Sequence, residues 1–439
     1  MTALTALPKT KAEQSLAADF AARAGELPGT ATTKAMRRQA MTAFERIGLP
    51  HRRVEAWKYT DLRTTIKEFA PFVTRDEAPV SLAQLNLALG PLANVDATRI
   101  VFVNGSYRQD LSDTLQSATF NSIGAALRAG QPPANTPLVG NEAVMALNSA
   151  LVTDGALIQI GDGLIVSKPI IIVCVNAGAN PKLTSLRHIV RAGRGTEAVV
   201  VECNVSLPGS ALSQSNSVLQ IAAGDAANLT HLKVSLEGSA ATHIETISAS
   251  LGANATLKSF QLTTGTGLAR TQTFVTFTGE NAKLDISGLM LGRGRDHIDT
   301  TLVIDHAVPG CESRELFKAV LDDTARAVFQ GKVIVRPDAQ KTDGKQMAKA
   351  LMLSEACEFD SKPELEIYAD DVVCGHGATV AEIDPAMMFY LRSRGIPRDE
   401  ARTMLIESFV GEALDKIDDE TMRETLRAIT QNWLAAGQT

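Results

Sequence analysis

Cys374 and His376 stand two residues apart near the end of the segment Pro363-Glu364-Leu365-Glu366-Ile367-Tyr368-Ala369-Asp370-Asp371-Val372-Val373-Cys374-Gly375-His376-Gly377-Ala378-Thr379-Val380. On a strand, residues i and i+2 share a face. The spacing therefore sets a thiol beside an imidazole, and likewise Glu364 beside Glu366. Thiolate and imidazole are ligands that suit iron and zinc. Two such groups make half a metal site, so further donors would have to come from elsewhere, a second chain included. Each residue also has a plainer reading. A single cysteine on a strand is usually a small buried hydrophobe, and a lone histidine is usually a hydrogen-bonded structural residue. Glu364 and Glu366 read most simply as a solvated strand face. His297 and His306, with Asp296, Asp299 and Asp305, form a second candidate grouping, for which a solvated strand edge is the simpler account. Cys311 and Cys357 read as structural.

Other chemistries lack their residues. Gly344-Lys345 is followed by Gln346 and has no upstream glycine, so no P-loop is present to hold ATP. Gly265-x-Gly267 and Gly292-x-Gly294 lack the third glycine and the strand-to-helix setting of a dinucleotide site. Neither Gly-x-Ser-x-Gly nor His-Glu-x-x-His occurs.

The elements that must position these residues are disclosed by a recurrence. Gly195-Thr-Glu-Ala198-Val-Val200, Gly224-Asp-Ala-Ala227-Asn-Leu229, Gly252-Ala-Asn-Ala255-Thr-Leu257 and Gly279-Glu-Asn-Ala282-Lys-Leu284 succeed one another at intervals of 29, 28 and 27 residues. A period in this range marks a solenoid whose stacked units share a core. Between glycines lie two strand-like stretches, such as Asn228 to Leu236 and His243 to Leu251, or Thr256 to Thr264 and Thr271 to Thr278. In the first, Leu232, Val234 and Leu236 alternate with His231, Lys233 and Ser235, which predicts one buried face and one wet face. Glycine is expected to supply positive φ at the corners, and alanine to let corners stack. Gly375 to Val380 repeats the pattern and predicts another corner. An antiparallel sandwich shares the turn spacing, but the recurrence at twice that spacing favours a flattened parallel β-helix with two strands per coil.

Helical text brackets the coil. Residues 10 to 48 predict two helices broken at Glu26-Leu27-Pro28-Gly29, Arg99 to Asn104 a strand, and Ala118 to Ala150 helix with a break at Pro132-Pro133. After Ile383, Asp384 as cap and Pro385 at the first helical position open helices at 385–394, 397–416 and 418–435. In the middle helix Ala401, Leu405, Phe409 and Ala413 form one stripe, while Met404, Ile406 and Val410 spread apolar character to a second face. The expected regions are thus a mainly helical 1–150, a β-helix 151–384 and a helical 385–439.

A net charge of −6 gives no footprint for nucleic acid or an anionic membrane. The longest apolar run, Ile170 to Val175, is far too short for a bilayer. Five scattered cysteines without a Cys-x-x-Cys, and a start without a secretory signature, predict a reducing, cytoplasmic setting.

Four segments, in this order, make the chain resemble the SufB/SufD family of iron–sulfur cluster assembly proteins. They are Glu55-Ala-Trp57-Lys58-Tyr59-Thr60, Phe329-Gln-Gly331-Lys-Val-Ile-Val335, the stretch from Pro363-x-Leu-Glu-Ile to Cys374-x-His376-Gly-Ala-Thr379, and Tyr390-Leu391-x-Ser393-Arg394-Gly395-Ile396. The Trp-Lys-Tyr segment and Cys-x-His point to the SufD branch. The resemblance implies a right-handed parallel β-helix between helical ends and pairing with a SufB-like paralogue through the β-helices. It also implies docking of a SufC-like ABC-type ATPase on the C-terminal helices, for which Met404, Leu405, Phe409 and Val410 are the candidate contacts. His376, with Cys374 adjacent, would then face a nascent, transient iron–sulfur cluster at the heterodimer interface, and the chain would be a scaffold without turnover of its own, contributing also to iron acquisition. Val373 and Gly375 depart from the Lys and Ser expected there, leaving His376 in place. Homodimerisation of the isolated chain and a flavin in the complex are not legible. Two other functions are carried along: a β-helix enzyme acting on polysaccharides, which an aromatic content of 5% and the absent secretory signature disfavour, and a metal-free interaction module.

Overall fold

A computed structural model of the chain describes residues 7–76, 78–131 and 142–437. Its centre is a parallel β-solenoid of about eight turns, preceded and followed in the sequence by helices. From Ala156–Ile160 onward, successive strands alternate between a ten-stranded and a nine-stranded sheet. Every pairing is parallel except one antiparallel pair at the start of each sheet. The strands Thr98–Val103 and Thr119–Ser122 open these sheets, so the region before residue 150 supplies the first layer of the coil. The expected helix over 118–150 is therefore a strand followed by helices Ile123–Arg128 and Glu142–Leu151, and the Pro132-Pro133 break lies outside the described residues. The helices Lys11–Arg23 and Ala31–Ile47 stand where the sequence puts them.

The recurrent glycines mark the corners, but only Gly195 carries the positive φ (61°) expected of them. In the next three copies the left-handed residue comes two positions later, at Ala226, Asn254 and Asn281, with φ of 55°, 57° and 60°. Gly224, Gly252 and Gly279 are needed for a different reason. A β-carbon on Gly224 would lie 2.9 Å from the carbonyl carbon of Gly193, and one on Gly279 2.5 Å from the Cα of Ala253. Each corner rests backbone against backbone on the one before it, and the amides of Gly224 and Gly252 donate to Ala192 and Ala223 at 2.9 Å. Ala198, Ala227, Ala255 and Ala282 are buried beside them. Gly375 to Val380 is not a corner: it lies inside the strand Val373–Ala381, because that coil turns earlier, at residues 368–372.

The expectation of a wet strand face is also overturned. His231, Lys233 and Ser235 are buried, as are Leu232 and Val234. The polar residues point into the coil, where Lys233 pairs with Glu245 and sits 3.2 Å from His243, which reaches Glu237 at 3.1 Å. Burial, with Glu245 adding to it, pushes the nearby Glu202 carboxyl up to about 8. The apolar residues point outward and are covered. Leu232, Val234, Phe260, Leu262, Leu289 and Leu291 pack under helices Arg398–Leu414 and Glu420–Ala436, and helix Leu82–Leu89 joins the same core. The outer face of the nine-stranded sheet is covered by the N-terminal region through Leu183, Ile244 and Leu268. A strand with protein on both faces has no reason to leave either polar row in water.

Glu55–Trp57 and the residues after it pin that N-terminal region down. Trp57 is fully buried with the Arg270 guanidinium 3.9 Å over its ring. Arg270 also donates to the Ala56 carbonyl at 2.6 Å and pairs with Asp299, to which Thr60 donates as well.

Candidate functional site

The solenoid ends without a cap. Its last coil consists of the strands Glu358–Ile367 and Val373–Ala381. The first pairs only with Arg326–Val335 and the second only with Asp343–Met352, so each closes its sheet with one free edge. Such an edge presents unpaired backbone donors and acceptors, a template for another chain. Apolar side chains are displayed along it: Tyr368 is 62% exposed, Val373 61% and Val380 59%. A solenoid ordinarily needs a polar terminal unit to remain alone in water.

Cys374 and His376 lie on this last strand, in register with Gly344 and Gln346 of the strand beneath. Cys374 packs partly against the interior core, whereas His376 is exposed because no further coil covers it. The other four cysteines are buried. Burial raises the Cys374 thiol above its ordinary range; the backbone amide of Gly344 opposes this and Asp343 adds to it. The shared face of Cys374 and His376 is the one the strand spacing predicts. No group of three or more His, Cys, Asp or Glu side chains among the described residues is arranged to hold a metal. The pair thus remains two donors at an open edge.

The other candidates separate. Glu364 and Glu366 sit on the outer face of their strand and pair with Lys362 at 3.2 Å and Lys332 at 2.6 Å, a solvated face as the sequence suggests. His297 and His306 occupy opposite ends of one strand, His297–His306, and do not converge. The Nε2 of His297 lies 3.0 Å from the Thr60 hydroxyl. His306 is buried against Phe277 and Ser313, and burial lowers its imidazole to about 4, so it stays neutral. Their aspartates are engaged elsewhere, Asp299 by Arg270 and Asp305 by Arg336 at 2.9 Å. The residues do not gather into one site, because the N-terminal region covers His297 and Asp299 and the coil interior encloses His306, while the Asp305–Arg336 pair keeps a solvated edge.

The C-terminal helices fall at Pro385–Ser393, Arg398–Leu414 and Glu420–Ala436, with Asp384 capping the first by accepting from the amide of Ala386 at 2.8 Å. Of the four predicted contacts on the middle helix, Val410 is corrected. It is 2% exposed and, with Ile406 and Ala413, forms the row that lies on the ten-stranded sheet. Phe409 is half-buried, with the Lys318 ammonium 4.3 Å over its ring. Leu405 is half-buried and Met404 is exposed. The preceding helix Pro385–Ser393 buries none of its residues; Met387, Phe389 and Tyr390 are 54%, 75% and 54% exposed. These three exposed residues are the apolar surface that sequence reasoning missed, since only the middle helix was tested for an apolar excess.

Two family models together match most of the chain. Residues 174–409 match the model described as SUF system FeS cluster assembly, SufBD core domain, and residues 11–172 match the SufBD protein N-terminal region. The iron–sulfur cluster assembly protein SufD of Escherichia coli is 32% identical over 89% of this chain and 90% of its own length. An iron–sulfur cluster assembly SufBD family protein of Synechocystis is 30% identical over 86% of each chain, and SufD of Bacillus subtilis 26% identical over 67% of each. The polysaccharide-active alternative has no support beside these matches. Among the described residues no helix is long and apolar enough to cross a membrane. From the first helices of the N-terminal region to the helices beyond the coil, this chain belongs to the SufB/SufD family of iron–sulfur cluster assembly proteins.

Proposed function

We propose that this chain is a scaffold subunit, without turnover of its own, that pairs end to end with a SufB-like paralogue in the cytoplasm. The observation that carries the reading is the uncapped last coil: two free strand edges, an apolar rim, and on one edge strand half-buried Cys374 beside exposed His376. Parallel edges of a second solenoid would continue both sheets and bury the rim. The thiol and imidazole would then stand opposite the partner's donors and complete a site that this chain holds only in half. Iron and sulfide are the cargo assembled there, and iron acquisition belongs to the same step.

The exposed Met387, Phe389, Tyr390 and Met404, beside half-buried Leu405 and Phe409, offer a docking face for a SufC-like ATPase. A chain without a P-loop has to borrow its nucleotide chemistry. Hydrogen-bonded coils connect that face rigidly to the open end, so movement of the ATPase subunits would strain the interface. Anaerobic reconstitution of the complex with His376→Ala tests the reading. Formation of the cluster is expected to be lost or strongly slowed, and undiminished formation removes His376 from the mechanism. Iron and sulfide analysis of the wild-type complex separates this reading from a metal-free interaction module.

A further inference from the structure

Beneath His376 the coil interior holds a polar pair, Gln346 and Glu315, that neither pairing with a paralogue nor docking of an ATPase requires. Stacking in register places His376 over Gln346, and Gln346 over Glu315. All three lie on the inward row of their strands. Gln346 is buried, and its side-chain Nε2 donates to Glu315 Oε2 at 2.8 Å. The amide oxygen of Gln346 is buried without a hydrogen-bond partner. An amide that spends its N–H on the residue below has its oxygen left for the residue above, because the two atoms diverge from one carbon. A buried acceptor without a partner keeps the cost of its desolvation uncompensated, so its persistence asks for an explanation.

Three features fix the amide in this position. Gly331, on the opposite sheet, leaves the space the amide fills: a β-carbon there would lie 2.5 Å from the Gln346 side-chain carbonyl carbon. Gly331 belongs to the Phe329–Val335 segment on which the family resemblance rests, and its φ is not in the left-handed region, so space is the reason for it. Below Glu315 the interior turns apolar, with Ile286 in register and the Phe317 and Phe329 rings stacked at 5.2 Å. Burial pushes the Glu315 carboxyl up to about 8, with the Gln346 hydrogen bond pulling the other way. The pair is thus bounded by Gly331 at its side and by apolar residues below, with the last coil above it.

We infer that Gln346, held by Glu315 and seated over Gly331, is a positioning residue for His376: its free amide oxygen accepts one imidazole N–H and leaves the other ring nitrogen bare and aimed out of the coil. A histidine that ligates metal commonly donates its second N–H to such an acceptor, which fixes its tautomer and orientation. The exposed imidazole, in register directly above the amide, would make the bond by turning about its own torsions. The inference rests on the reading of His376 as a ligand at the open edge, but its test needs no metal.

The test is 15N NMR of the full chain labelled at histidine, at about pH 8.5, two units above the ordinary imidazole value, with His376 assigned by its loss in His376→Gln. The wild type is expected to show His376 as a single neutral tautomer with one widely separated pair of ring-nitrogen shifts. Gln346→Met keeps the length and removes the acceptor; the two shifts should converge as the tautomers mix. Gly331→Ala, which displaces the amide without changing it, should do the same, and Gln346→Glu, which keeps an acceptor oxygen, should restore the separation. Converged shifts in the wild type overturn the inference even if no variant folds, and so does a separation that Gln346→Met leaves unchanged. Failure of the two claims is distinguishable. Full cluster formation with His376→Ala sinks the ligand reading whatever the tautomer, and mixed tautomers sink the Gln346 role even if His376 proves essential.

Discussion

At the scale of single residues, the contrast among the cysteines is the sharpest handle. Burial holds the thiols of Cys174 and Cys203 far from ionisation, the latter at about 12. Cys374 alone of the five is only half-buried. Reactivity depends on thiolate fraction and access, so brief alkylation of the native chain should label Cys374 first, and Cys374→Ser should abolish the fast phase. Fast labelling of Cys174 or Cys203 would show that the coil is not closed as described. Glu315 gives a stability prediction of definite sign. Its folded pKa, about 8, lies above its unfolded value, so folding takes up a proton between roughly pH 4.5 and 8. The native state therefore loses stability as pH rises through that window, at up to about 1.4 kcal/mol per unit. Glu315→Gln, neutral throughout, should flatten the curve and be the more stable form at pH 8 in chemical denaturation; parallel curves for the two proteins would contradict the raised carboxyl. Cys374 and His376 were legible in the sequence because i and i+2 share a strand face. Gln346 and Glu315 were not, since stacking of successive coils is what joins them to His376, and register between coils leaves no mark within a strand.

Among the elements, helix Arg398–Leu414 shows how far amphipathic pattern reaches. The sequence located it and revealed two apolar faces, but it assigned Val410 to the outside. With sheet below and solvent above, both faces carry apolar residues, and only packing decides that Ile406, Val410 and Ala413 lie on the sheet while Met404 stays exposed. The two faces should separate by mutation. Ile406→Ala should cost about 2–5 kcal/mol of stability. Met404→Ala should leave stability within about 0.5 kcal/mol and weaken binding of the SufC-like ATPase in a pull-down or calorimetric titration. Equal effects of both on stability would contradict the packing. At the corners, Gly279→Ala forces a methyl group against the Ala253 backbone, and relief needs two coils to part. Overpacking of this kind costs about 1–3 kcal/mol, measurable as a lowered denaturant midpoint.

For the molecule as a whole, the recurrence of Gly-x-x-Ala was enough to announce a coil, since each unit must stack on an equivalent neighbour. It could not say which faces are dry. Alternation along Asn228–Leu236 has the same period whether the polar row meets water or the Lys233–Glu245 network of the interior, and the helices that cover the outer row lie far away in sequence. Nor could it say that the last coil goes uncovered, because that depends on where the C-terminal helices pack, against the sheet face and not over the open end. The open end carries the central claim. Hydrogen–deuterium exchange of this chain, alone and mixed with a SufB-like paralogue, tests it directly. End-to-end pairing predicts that strong new protection concentrates in residues 358–381, the two edge strands and the turn between them. Unchanged exchange there, with protection appearing only on the sheet faces or the N-terminal helices, would contradict it.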